Sequence, residues 1–207
     1  MSVALRRDVI ELPIQDAIDL KGRDIREAPG LFRKSNPPML EWLHSPIVYR
    51  DDGVFAARLR ALLPRYYSRR NCLYHYASMA RGNIREYLKG DRVWTKKYFY
   101  VLRPLLACRW IETFDDIVPT EFAPLVEACA PRGSFYDEVT ELIRKKVAGM
   151  ELDEGPRIPA FHDFFDAELP RIEAMAGSVP TPEHRDPAAL DRLLIETVGT
   201  GIGPVTS

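Results

Sequence analysis

The chain has 207 residues, 29 of them Lys or Arg and 30 Asp or Glu, for a formal net charge of -1; that length can bury a core without disulfides or structural metals. Cys72, Cys108 and Cys129 are odd in number and hold no CxxC pair, which excludes a disulfide scaffold and a paired-cysteine redox centre and points to buried thiols in a reducing compartment. The opening MSVALRRDVIELP lacks the apolar core of a signal peptide, and no segment reaches the roughly 18 uncharged apolar residues of a membrane helix, so the expectation is a cytoplasmic protein with no membrane partner.

Residues 8–20, DVIELPIQDAIDL, contain short apolar runs broken by Pro13 and acids, which suits an edge strand or extended segment. Gly22 offers a turn, and a short helical stretch from Ile25 to Arg33 is interrupted by Pro29 and Gly30. In SNPPMLEWLHSP, Asn36 can cap a helix whose first turn holds two prolines and which ends before Pro46. Asp52 to Leu63 places Val54, Phe55, Leu59 and Leu62 at helical spacing.

The next two predicted helices, Asn71–Leu88 and Arg92–Ile111, are separated by Gly90, which can take a left-handed C-cap conformation, and by Asp91 as a following cap. Pro104 inside the second should bend its axis near Tyr100 to Arg103. After an acidic connection, helical periodicity recurs at 122–129, 135–150 and 160–175. Residues 177–187 read as a flexible linker ahead of a short Leu-rich helix at 190–198 and a Gly-rich tail.

Charge is sorted along this order. Arg58 to Arg109 contains 13 Lys or Arg and two acids, Glu86 and Asp91, a local net of +11, so the remainder carries -12. Such sorting can focus a positive field on one surface and attract polyanions although the total is near zero.

Within that stretch His75, Met79 and Asn83 follow at i,i+4 on one face, flanked by Arg81 and Arg85. The histidine could exchange a proton, the asparagine fix a base or sugar, and the guanidinium groups grip phosphate; alternatively His75 and Asn83 satisfy a helix junction. Lys96, Lys97 and Arg103 lie across one helix with no acid between Arg92 and Trp110. A merely solvated face would mix both signs, so phosphate contact is the competing explanation. Interleaved Tyr and Trp residues mostly build the core, with one or two left to stack on a ligand. Asp16, Asp19 and Asp24 are the nearest approach to a carboxylate cluster. The phosphate-loop, dinucleotide, metalloprotease and serine-hydrolase motifs are missing.

The stretches RKSNPPMLEWLHSPIVY, HYASMARGNIREYL and KKYFYVLRPLLACRWI together resemble the nucleotidyltransferase-like family of the DNA polymerase beta superfamily assigned to an RNA repair pathway, from about Arg7 to Phe165. The resemblance implies a mainly α chain: a residual short β or extended N-terminal segment of a truncated nucleotidyltransferase fold in 1–30, a helical substrate-binding domain in 31–176, and a linker, short helix and flexible tail in 177–207. It also implies Mg2+ and a nucleoside triphosphate, with nucleotide or RNA as partner. The family's GS-containing turn and DSDYD-like carboxylate pair are not found here. Asp19, or alternatively Asp24, stands near the superfamily's third carboxylate and would be the catalytic residue, with Asp19 as the metal contact. One carboxylate cannot organise a two-metal phosphoryl-transfer site. Substrate contacts carried over position by position are His75, Arg81, Asn83, Arg85, Lys96, Lys97, Tyr98 and Arg103. The expected function is a truncated or degenerate nucleotidyltransferase-like protein that binds nucleotide or RNA phosphates. The rival is a non-catalytic module docking an acidic protein or another copy of itself.

Overall fold

A computed structural model of the chain describes residues 9–11, 21–51, 54–181 and 185–199. The described chain is mainly α, with two short antiparallel ribbons. Contacts divide it into two units that interleave in sequence, one drawn from 1–35, 49–67 and 183–207 and the other from 36–48 and 68–182.

In the first unit β1 (Val9–Glu11) pairs with β2 (Lys21–Arg23), with Ile10 opposite Gly22. Gly22 is therefore a strand residue and not the expected turn. Helices α1 (Ala28–Arg33), α3 (Phe55–Tyr66) and α9 (Ala188–Gly199) contribute the buried side chains Phe32, Leu59, Tyr66, Leu190 and Leu193. Residues 182–184 lie outside the described set, but the linker's far end is anchored. Arg185 donates to the carbonyls of Tyr66 and Tyr67, while the Tyr66 hydroxyl donates to the Asp186 carbonyl at 2.6 Å. Those carbonyls belong to the end of α3, where no further turn of helix satisfies them.

The second unit begins with α2 (Pro37–Leu43), whose cap Asn36 accepts the Met39 amide at 3.2 Å as its sequence predicts. Helix α4 (Arg69–Tyr87) starts at Ser68, which accepts from Asn71, and packs along α5 (Phe99–Phe114). Val101, Leu102, Leu105, Leu106 and Cys108 are all fully buried, so α5 is apolar on most faces and forms the middle of the unit. Against it lie α6 (Phe122–Cys129) and α8 (Pro159–Ser178), and α7 (Ser134–Val147) packs on α8. Aromatic contacts join Phe135, Phe161, Phe164 and Phe165 to Tyr98. All three cysteines are buried free thiols, as expected, and among the described residues no helix is long and apolar enough to cross a membrane.

The predicted helix over 92–111 starts seven residues later than its periodicity suggests. Arg92–Trp94 is a strand, β3, followed by a 3-10 turn over Thr95–Tyr98. Val93, Trp94 and Thr95 are β-branched or aromatic, and β3 finds a partner in β4 (Glu154–Pro156), with Val93 opposite Gly155. A side chain at Gly155 would approach Thr95 Oγ1 to 3.2 Å, so a glycine suits this closely packed ribbon. Gly90 does adopt the expected left-handed conformation, at φ 91°.

Candidate functional site

Carboxylates neutralise much of the basic stretch. In the first unit Arg58 pairs with Glu196 at 2.5 Å, Arg60 with Asp51 at 3.7 Å and Arg65 with Asp186 at 3.6 Å. In the second, Arg81 pairs with Glu173, Arg103 with Glu41 at 2.7 Å and Arg109 with Glu168 at 3.6 Å. Arg70 is spent differently: it donates to the carbonyls of Ala176, Gly177 and Val179 and so caps the end of α8. The uniform positive surface that the sequence suggests is therefore broken up.

What remains is concentrated where α4 ends and α5 begins. Among the described residues Arg85, Lys89, Lys96 and Lys97 form no ion pair. Lys97 Nζ lies 3.9 Å from the ring centre of Tyr87 and 4.6 Å from that of Tyr100, close enough for the ammonium to interact with both π faces. Lys96, on the other side of the 3-10 turn, sits 5.4 Å from the Trp94 ring. Its surroundings differ. The amides of Thr95 and Lys96 donate to the carbonyls of Asp153 and Leu152, and Trp94 is paired in register with Glu154. The exposed acidic run Glu151, Asp153 and Glu154 thus passes beside Lys96. Glu86 is the acid on the Lys97 side, and it raises the pKa of the Tyr87 hydroxyl.

Several carried-over residues hold the scaffold. Asn83 Nδ2 donates to the Met79 carbonyl at 2.8 Å and to the Tyr100 carbonyl at 3.1 Å. The Tyr100 carbonyl would ordinarily accept the amide of residue 104, but Pro104 has none. Asn83 supplies the missing donor from the neighbouring helix. Arg103 donates to Glu41 and, at 2.9 Å, to the Pro119 carbonyl, and Glu41 also accepts the Tyr76 hydroxyl. Burial, reinforced by Glu41, pushes the Tyr76 hydroxyl far above its usual range. His75 is half-buried, and desolvation lowers its pKa against the opposing pull of Glu41.

Tyr98 is fully buried, so it offers no ring to a ligand in solution. Its hydroxyl accepts the Ile158 amide at 2.9 Å and lies 3.0 Å from His162 Nε2. Arg157 Nη2 is 2.7 Å from His162 Nδ1. A guanidinium can only donate, so Nδ1 accepts, and a neutral imidazole donates from Nε2 to Tyr98. Burial lowers the His162 pKa, Arg157 lowers it further, and Asp166 and Asp163 oppose them. His162 carries no spacing signal in the sequence, being a lone histidine inside an aromatic helix.

The proposed carboxylates do not form a metal site within the described structure. Asp19 lies outside the described residues. Asp24 receives the Arg26 amide and Nε at 3.0 Å and Arg26 Nη2 at 2.5 Å. Both of its oxygens are thus engaged by its own neighbour. Among the described residues no three His, Cys, Asp or Glu side chains gather.

Residues 1–196 match the family model described as the RNA repair pathway DNA polymerase beta family. The uncharacterized protein YcgL of Bacillus subtilis (strain 168) is 42% identical over 197 residues, a match spanning 95% of this chain and 76% of YcgL. No solved structure matches.

Proposed function

The chain belongs to the RNA repair pathway DNA polymerase beta family, and from that premise we propose that its helical unit binds the phosphates of nucleotide or RNA at the junction of α4 and α5. The observation carrying this reading is Lys97, held between two tyrosines in the 3-10 turn before α5, with Arg85 in the last turn of α4 and Lys89 just past its end, none of the three with a carboxylate partner among the described residues. Arg81 and Arg103 then serve as positioning residues, since their charges are already matched by Glu173 and Glu41. Asp19 is proposed as a contact for Mg2+, which would offset phosphate charge when bound.

Binding of a fluorescent RNA hexamer and of ATP, measured by anisotropy between about 25 and 200 mM salt, tests the phosphate contact. Affinity is expected to fall as salt rises, and each of Lys97→Gln and Arg85→Gln should weaken RNA binding and reduce the salt slope by roughly one. Lys96→Gln should matter less, because the acidic run already screens that charge. Absence of RNA and ATP binding at the lowest salt overturns the reading; if the chain's size then changes with salt, docking of protein surfaces replaces it.

A further inference from the structure

The Lys97 cluster also contains a feature that phosphate binding alone does not require. Tyr100 projects from the first turn of α5 with 50% of its surface exposed, although its neighbours Val101 and Leu102 are fully buried. The rings of Tyr87 and Tyr100 are 6.4 Å apart and inclined at 69°. A flat group can therefore lie parallel to one of them and not to both. Lys97 occupies the space against Tyr87 more closely, and Tyr87 is the more buried ring.

We propose that Tyr100 is a stacking platform for an unpaired RNA base, with Tyr87 holding Lys97 so that its ammonium meets the adjoining phosphate. This rests on the phosphate-binding reading above and adds to it a strand preference. In a duplex the base faces are occupied by their neighbours, whereas a single strand presents each face to an exposed ring. Stacking also tolerates sequence, because every base has a π face, so oligo(A) and oligo(U) should bind within severalfold of each other. The position of the platform is fixed from beneath: Asn83 ties down the Tyr100 backbone carbonyl that Pro104 leaves without an amide.

The test compares the full chain and its Tyr100→Ala, Tyr100→Leu and Tyr100→Phe variants, titrated with a single-stranded RNA hexamer and with a hairpin duplex of the same composition. The single strand should bind at least tenfold more tightly than the duplex. Tyr100→Ala and Tyr100→Leu should each lose about tenfold on the single strand while leaving the salt slope unchanged, and Tyr100→Phe should bind like the parent. Leucine keeps apolar bulk at an exposed site, so equal losses in both variants, with unaltered thermal unfolding, separate loss of the ring from loss of fold. Equal affinity for duplex and single strand, or a Tyr100→Leu variant within twofold of the parent, overturns the stacking role while the phosphate reading stands. Failure of every form to bind either RNA at low salt overturns both.

Discussion

Asn83 shows how one side chain can carry two levels of structure. From its spacing with His75 and Met79 it reads equally as a ligand contact or as a junction residue, and the structure gives it a junction partner 17 residues away. The carbonyl that Pro104 leaves without a donor was legible, because proline announces its missing amide; the donor that compensates for it was not, because nothing in the sequence pairs positions 83 and 100. Truncation to Asn83→Ala should cost about 1 kcal/mol, since the bond is neutral and partly solvated, lowering Tm by roughly 2–4 °C for a chain of this size. In a Pro104→Ala background the residue 104 amide can return to the Tyr100 carbonyl, so the same truncation should cost markedly less. Urea unfolding of the four proteins gives the coupling directly. A coupling near zero would remove the assignment.

The clearest mismatch among the elements is the segment from Arg92 to Tyr98. Helical periodicity runs through it because Val93, Lys97, Tyr100 and Val101 are compatible with one face, yet β-prone residues and a partner strand more than 50 residues downstream make it a ribbon and a 3-10 turn. That pairing places Arg157 and Ile158 beside Tyr98, and His162 at the start of α8 closes the network. The network has a pH signature. His162 is neutral when folded, with its pKa lowered from the ordinary 6.5. Above that value the folded and unfolded chains bind no proton at this site; below it the unfolded chain gains one that the folded chain resists. Stability should therefore fall as pH drops from about 6.5 toward 5, by at most about 1.4 kcal/mol per pH unit from His162. His75, also lowered but more exposed, adds a smaller slope of the same sign. Urea unfolding at pH 7.5, 6.5 and 5.5 should show this dependence, and His162→Gln should flatten it whatever its own cost in stability. An unaltered slope in that variant would assign the protonation elsewhere.

For the whole molecule, the decisive property is the distribution of charge after folding. The excess of +11 between Arg58 and Arg109 is correct as a sum, but the fold spends it within each unit: acids from the C-terminal half meet Arg58, Arg65, Arg81 and Arg109. Sequence order cannot reveal this, because neutralisation depends on which distant segments come together. The same folding brings Glu151, Asp153 and Glu154 alongside the 3-10 turn, so Lys96 and Lys97 are neighbours in sequence with different surroundings, the acidic run for one and two tyrosine rings for the other. If that acidic run limits the basic surface, removing its charge should widen it. A carboxylate about 8 Å from a phosphate repels it by roughly 0.5 kcal/mol in water before screening. Three such charges, reduced by counterions even at low salt, leave about 1 kcal/mol. The triple variant Glu151→Gln, Asp153→Asn, Glu154→Gln should therefore bind the RNA hexamer about fivefold more tightly at 25 mM salt, with the gain shrinking toward 200 mM. Adding Lys96→Gln should lower that affinity by about the same small factor as in the parent, because no ion pair among the described residues ties Lys96 to the acids and the two changes act on the phosphate independently. An affinity unmoved by the triple substitution would mean that phosphates do not approach this end of α5, and the interface would have to be sought on another face of the helical unit.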